Sequence, residues 1–209
     1  MNTEQLGPYT LSWPHGVFPL GGDSLSLGQF ATVKPRWRVC DLGTGSGALL
    51  LLLARRVEKL SLTGVELHSL SVQTARDNLE RNNLAGTIVE GDLRTVPLPA
   101  GSFDLVISNP PYFSVGTGTS GGSARSEETC TLEDLCATAA RLVKNGGRFA
   151  LCHRPERLTD VLCALRAHNL EPKRLKIISH SPAHPPSLIL VEGVRQGKPG
   201  LVIELGCII

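Results

Sequence analysis

An asparagine, two prolines and a tyrosine stand in a row at Asn109, Pro110, Pro111 and Tyr112, directly after the apolar run 103–108. Two successive prolines remove two backbone N–H donors and restrict φ at both positions, and the first biases Asn109 away from the helical region. The chain leaving that run is therefore stiff and rich in acceptors. It offers a side-chain amide oxygen, outward carbonyls and an aromatic ring. Such a cluster suits an amino group conjugated to a flat π system, with oxygens to accept its N–H bonds and a ring to stack on its face. A Pro-Pro turn closing a strand would carry the same residues without any chemistry. The neighbouring motifs decide between the two.

Upstream, residues 41–47 read Asp-Leu-Gly-Thr-Gly-Ser-Gly and lie between an apolar run and a helical pattern. Glycine lets such a turn adopt positive φ and lets a ligand approach the backbone closely. Glu66 follows 19 residues after Gly47, where a carboxylate can accept both hydroxyl protons of a ribose. Asp92, after Gly91, can accept from the exocyclic amine of an adenine. The spacing Gly43-x-Gly45-x-x-Ala48 with a later acid also fits the dinucleotide fingerprint, so the loop alone does not separate NAD from S-adenosylmethionine. Three features favour the latter. Asp41 precedes the turn, where a carboxylate suits a ligand bearing an ammonium and a sulfonium. Gly47 adds a third glycine. Gly91 and Asp92 recur one strand later.

These motifs need a scaffold that brings them together. Strand patterns fall at 38–42, 62–66, 87–90, 103–108, 148–153, 174–178 and 188–194. Helical patterns fall at 48–60, 69–82, 132–143 and 156–167, the third stopped by Asn145, Gly146 and Gly147. Strands alternating with helices predict an α/β fold: a mostly parallel seven-stranded sheet with helices on both faces. The Gly-rich turn, Glu66, Asp92 and the Asn-Pro-Pro-Tyr segment all fall at strand carboxyl ends, where such sheets bind ligands. Residues 114–126 are rich in Gly, Ser and Thr and predict a mobile loop.

The 209 residues suit one domain with a sizeable core, and the longest aliphatic run, 48–54, is far short of a membrane span. No signal-peptide pattern opens the chain. The six cysteines lack Cys-x-x-Cys spacing and read as reduced residues of a cytosolic protein. No metal is expected: His180 and His184 have ligand-like spacing but no cysteine or carboxylate nearby. His153 reads as structural or phosphate-facing. Asp104 reads as structural, Trp13 and Trp37 as packing, and Cys40 as a small core hydrophobe. Net charge is +2, yet residues 1–140 hold 10 Lys and Arg against 14 acids, while 141–198 hold 11 against 4. A basic half is either a solvated face or the footprint of a polyanion.

Together these motifs resemble a class I, Rossmann-like, S-adenosylmethionine-dependent methyltransferase of the amino-methylating kind. Ala124 to Glu127, Cys130 to Asp134, His153 to Arg157 and Leu170 to Arg174 sharpen the likeness. So does Phe18 to Leu27, with Gly21-Gly22-Asp23 where the family pattern has Gly-Thr-Asp. They are similar to the valine-tRNA adenine-N6 methyltransferase family, which methylates the adenosine beside the anticodon. The resemblance implies one domain over 1–209, with 1–37 an extension covering the cofactor site and 38–209 the catalytic core. It implies cofactor contacts from Asp23, Asp41, Leu42, Gly43, Thr44, Gly45, Gly47, Glu66, Leu67, Asp92, Leu93 and Asn109. Catalysis is expected from Asn109, Pro110, Pro111 and Tyr112. Substrate contacts are expected from Tyr112, Phe113, Arg125, Arg154, Arg157, Lys173 and Arg174. The same tetrapeptide occurs in enzymes that methylate release-factor glutamine and DNA adenine, and these carry an extra helical or recognition domain. The 37 residues before the first core strand leave room for neither, so RNA, in particular tRNA, is the expected partner. A protein-glutamine or small-molecule N-methyltransferase, an NAD-binding oxidoreductase and a silent RNA-binding module are the other readings.

Overall fold

Runs such as Val39 to Leu42 and Leu105 to Ser108 carry no exposed residue, as expected of parallel strands covered on both faces. In the computed structural model, which describes residues 1–110, 130–181 and 183–207, they form the centre of one large sheet. Its strands are β3 (Arg38–Leu42), β4 (Ser61–Glu66), β5 (Gly86–Glu90), β6 (Phe103–Ser108), β7 (Val143–His153), β8 (Leu170–Ser179), β9 (Pro186–Arg195) and β10 (Val202–Cys207). Their order is β10-β8-β9-β7-β6-β3-β4-β5. Only β9 runs against its neighbours. All seven expected strands are present. The eighth, β10, comes from the tail and pairs in parallel with β8 at the edge.

The strand alternation separates two cores. Val39, Leu105 and Ile107 face one with the helix α2 (Ala48–Arg56), while Cys40, Leu42 and Val106 face the other. The helices α4 (Leu132–Leu142) and α5 (Leu158–Ala167) bury residues in that second core. The first expected helix ends at Arg56 rather than 60, and the last begins at Leu158 after a short 3-10 turn, Pro155–Arg157. Residues 144–147 were expected to separate helix from strand. They are instead part of β7, bulged where Gly146 takes φ +74°. Asp104 accepts from the backbone N of Arg38 at 2.9 Å and pairs with Lys144, a structural carboxylate as expected.

Two N-terminal features lie outside the predicted elements. A hairpin of β1 (Asn2–Leu6) and β2 (Tyr9–Trp13) turns at Gly7, whose φ is +68°. The helix α3 (Ser69–Arg81) closes the free edge of β2 with side chains. Asn78 Oδ1 accepts from Ser12 N at 2.9 Å and its Nδ2 donates to Ser12 O at 2.8 Å. Asn82 repeats the pattern on Thr10 at 2.8 and 2.9 Å. One amide substitutes for the missing strand partner at each of Thr10 and Ser12.

The helix α1 (Gly22–Phe30) lies on α2, and a methyl at Gly28 would stand 3.0 Å from the Leu52 Cβ. Arg56 closes its carboxyl end by donating to Gly28 O and Ala31 O at 2.5 and 2.7 Å. Beyond it, Glu192 of β9 is wholly buried. Its carboxylate accepts from Thr32 N (2.7 Å), Thr32 Oγ1 (2.9 Å) and Arg148 Nη1 (2.6 Å). These bonds tie the segment after α1 to the sheet. Among the described residues no helix is long and apolar enough to cross a membrane.

Candidate active site

The crevice opens where β3 and β4 leave the sheet beside β6, the switch point at which open α/β sheets bind ligands. Gly43, Gly45 and Gly47 have φ of +73°, +55° and +82°. A methyl at Gly43 or Gly45 would meet no atom within 4 Å, whereas one at Gly47 would lie 3.4 Å from Ala75 of α3. Two glycines thus border open space and the third allows close helix packing. The loop is pinned from β4. Gly43 N and Thr44 N both donate to Val65 O, at 2.9 and 3.0 Å. Gly45 N donates to Glu66 Oε2 at 2.9 Å, and Leu67 N and His68 N to Oε1 at 2.9 Å each. A carboxylate has about four lone-pair sites, so Glu66 keeps an acceptor position for a ribose hydroxyl.

Asp41 is wholly buried beneath this loop. Its Oδ2 accepts from Thr44 Oγ1 at 2.7 Å, while Oδ1 has no hydrogen-bond partner among the described residues. Burial pushes its carboxyl up to about 7; Thr44 opposes the shift and the nearby Glu66 adds to it. A buried acceptor without a partner, under a loop whose Gly43 and Gly45 border open space, suits a cationic ligand. Asp92 follows the carboxyl end of β5, at the edge of the sheet. Arg94 grips both its oxygens, Nε at 3.0 and 2.9 Å and Nη2 at 2.5 Å, and this bonding holds the carboxyl below the usual range. Leu67 is exposed, and Leu93 packs partly against the second core.

Asn109 is half-buried and Pro110 buried at the end of β6. The Asn109 Nδ2 donates to Ser24 Oγ of α1 at 2.8 Å, and its Oδ1 accepts from the Cys152 thiol of β7 at 2.9 Å. Asp23 stands next to Ser24; burial raises its carboxyl, and the charge of Arg154 opposes that. His153 is buried, with Nδ1 accepting from Arg154 N at 2.8 Å. Burial and the positive Arg157 push it down to about 4, so it is a neutral structural histidine.

The structure brings Asp23, Asp41, the glycine loop, Glu66, Asn109 and Arg154 to one edge of the sheet. Arg157 follows one turn later, paired with Asp160 at 2.5 Å. Two expected substrate contacts fall elsewhere. Arg174 donates to Glu204 Oε1 (3.1 Å), Phe30 O (3.0 Å) and Thr32 Oγ1 (3.2 Å), lies 3.7 Å from Glu192 and stacks on Phe30 at 4.4 Å. Its guanidinium serves the fold. Lys173 reaches Lys198 O at 3.1 Å, in the segment after β9. Because β9 runs against β7, that segment lies at the edge opposite Asn109. Pro111, Tyr112, Phe113, Arg125, Glu127 and the Gly-rich loop lie outside the described residues. The residues that sequence reasoning missed are Ser24, Cys152, Asn78 and Arg94. Asn78 also donates to Ser46 O at 2.9 Å and so anchors the glycine loop to α3.

A sheet in this order, with its glycine turn at the switch point, is the fold of a class I methyltransferase. The chain belongs to the methyltransferase small domain family, which it matches over residues 22–162. It is 31% identical over 186 residues to the tRNA1(Val) (adenine(37)-N6)-methyltransferase of Porphyromonas gingivalis, covering 83% of this chain and 73% of that one. To the same-named protein of Parabacteroides distasonis it is 30% identical over 194 residues, covering 90% and 81%. Among solved structures, a protein described as a predicted O-methyltransferase from Agrobacterium tumefaciens superposes with a TM-score of 0.71. It is 23% identical, over 89% of this chain and 86% of that chain. A methyltransferase from Aquifex aeolicus gives a TM-score of 0.64 at 16% identity, over 83% and 89%. At these identities the structures speak for the fold.

Proposed function

We propose that the protein methylates N6 of an adenine in RNA, the substrate being a tRNA and the modified base lying beside the anticodon, in the cytoplasm. The observation that carries this reading is the placement of Asn109. Its amide stands at the carboxyl end of β6 and reaches Ser24 of α1, and the preceding Ser108 donates to Leu42 O, where the glycine loop begins. The named relatives support the choice of acceptor.

Asp41, Glu66 and Asp92 would hold the cofactor's cationic end, ribose and adenine, with Asp23, Leu67 and Leu93 beside them. When bound, S-adenosylmethionine supplies an electrophilic methyl group on a positively charged sulfur. An adenine amine is a weak nucleophile because its lone pair is delocalised into the ring. Asn109 Oδ1 and the Pro110 carbonyl would accept its two N–H bonds, favouring a tetrahedral nitrogen and spreading the positive charge that develops there. Tyr112, with Phe113 beside it, would stack on the base once it has left its helix, a contact worth roughly 1–3 kcal/mol in comparable systems. No strongly basic side chain is required, since an N-methylated adeninium loses its proton to water. Arg154 and Arg157 would hold phosphates near the crevice, with Arg125 contributing from the loop that follows Tyr112. Residues 1–37 would cover the cofactor as part of a single domain.

The test is transfer of a labelled methyl group to bulk tRNA, DNA and protein, followed by nucleoside analysis. Label in N6-methyladenosine from tRNA alone is the expected result. Label in glutamine or in DNA would overturn the choice of substrate.

A further inference from the structure

Asn109 is gripped from two sides by residues with no role assigned above. Ser24 Oγ is 2.8 Å from its Nδ2 and Cys152 Sγ is 2.9 Å from its Oδ1. These partners are 85 and 43 residues away in the chain, on α1 and β7, so only the assembled fold brings them together. Cys152 is fully buried, and burial, with Asp23 and Asp41 nearby, holds its thiol well above the usual range. It therefore stays S–H, a donor, at any working pH.

That matters because a carboxamide is ambiguous. Its terminal torsion is broad and close to two-fold, so rotation exchanges an acceptor for two donors at little cost. An amide turned the wrong way would point N–H groups at an incoming amine, which itself carries only donors. A hydroxyl oxygen is a good acceptor for an amide N–H and a sulfur a poor one, so the two partners favour one orientation: nitrogen toward Ser24, oxygen toward Cys152. The carbonyl oxygen has two lone pairs, and the thiol takes one.

We propose that Ser24 and Cys152 are positioning residues that lock the Asn109 carboxamide with the second lone pair of Oδ1 free for the target amine. The inference rests on Asn109 being the amine acceptor. The helix that carries Asp23 thereby also sets the catalytic amide.

The variants are Cys152→Ala, Cys152→Ser, Ser24→Ala, Asn109→Ala and the Cys152→Ala/Asn109→Ala double variant. Removing either clamp should lower kcat roughly fivefold to tenfold, the range expected for one lost hydrogen bond, with cofactor affinity unchanged. Cys152→Ser restores a donor and should recover most of that loss. With Asn109 already replaced, Cys152→Ala should cost nothing further. A readout without substrate is the infrared S–H stretch of Cys152, assigned by difference against Cys152→Ala. It should move to higher frequency in Asn109→Ala as the thiol loses its acceptor. Equal losses in both backgrounds, a serine no better than alanine, or an unmoved S–H band would each overturn the clamp. Should Cys152→Ala not fold, Cys152→Ser and Ser24→Ala carry the comparison. Full activity in Asn109→Ala with a shifted band would mean that the clamp is real and the acceptor assignment wrong. An inactive Asn109→Ala beside fully active Ser24→Ala and Cys152→Ala would mean the reverse.

Discussion

With Asp41 in the cofactor site as proposed, cofactor affinity should depend on pH. Its carboxyl is raised from 3.8 to about 7, chiefly by burial. At about 1.4 kcal/mol for each unit, the free protein disfavours the charged form by about 4 kcal/mol relative to a solvated carboxyl. A raised value means that the fold prefers the acid. The stabilising contribution is full below the unfolded value and lost as pH rises through about 7. A ligand bearing a sulfonium and an ammonium has the opposite preference and recruits the carboxylate. Below about pH 7 binding must therefore expel a proton, and affinity should fall about tenfold for each unit of pH, while above that point it should level off. Calorimetry of S-adenosylmethionine binding between about pH 5.5 and pH 8, in buffers of different ionisation enthalpy, measures both the affinity and the protons released. Asp41→Asn should abolish the slope, bind more weakly above neutrality, and be more stable to denaturant than the parent at alkaline pH. An affinity independent of pH, or proton uptake on binding, would refute the reasoning.

Other consequences follow from the charges. Glu192→Ala takes from Arg148 its carboxylate and from Thr32 the acceptor of its N–H and hydroxyl, and should cost about 3–5 kcal/mol in denaturant unfolding, as expected for breaking a buried ion pair. Little loss there would mean that Arg148 is solvated. Arg154→Ala and Arg157→Ala should each weaken tRNA binding and reduce the slope of affinity against salt by about one, whereas Lys173→Ala, at the opposite edge, should leave that slope unchanged. Filter binding over a range of salt concentrations separates these outcomes.

Much of the sheet was readable because each central strand is a short, mostly apolar run flanked by turn residues. That property is local, and it places Asp41, Glu66, Asp92 and Asn109 at carboxyl ends without any coordinates. The edges were harder. β1 is almost wholly exposed and has no apolar alternation, so it shows no pattern. α1 begins at a glycine, contains another, and alternates Ser24, Leu25, Ser26 and Leu27, which mimics the period of a strand. Leu201, Val202, Ile203 and Leu205 of the tail are exposed although apolar, so β10 is set by pairing with β8 rather than by a buried face. The basic half does not gather on one surface. Adjacent charges in the chain need not point the same way, and Arg174 pairs with Glu192 and Glu204. Thr131 and Asp134 form a capping box at the start of α4. Nothing in the chain marks Ser24 or Cys152, whose roles arise only when α1, β6 and β7 meet.

The most direct test of the central claim is single-turnover methyl transfer to tRNA by Asn109→Ala, with cofactor affinity measured on the same sample. Loss of an acceptor that acts mainly in the transition state predicts a fall of about a hundredfold or more in rate, with binding of S-adenosylmethionine little changed. Transfer at the parent rate would contradict the account.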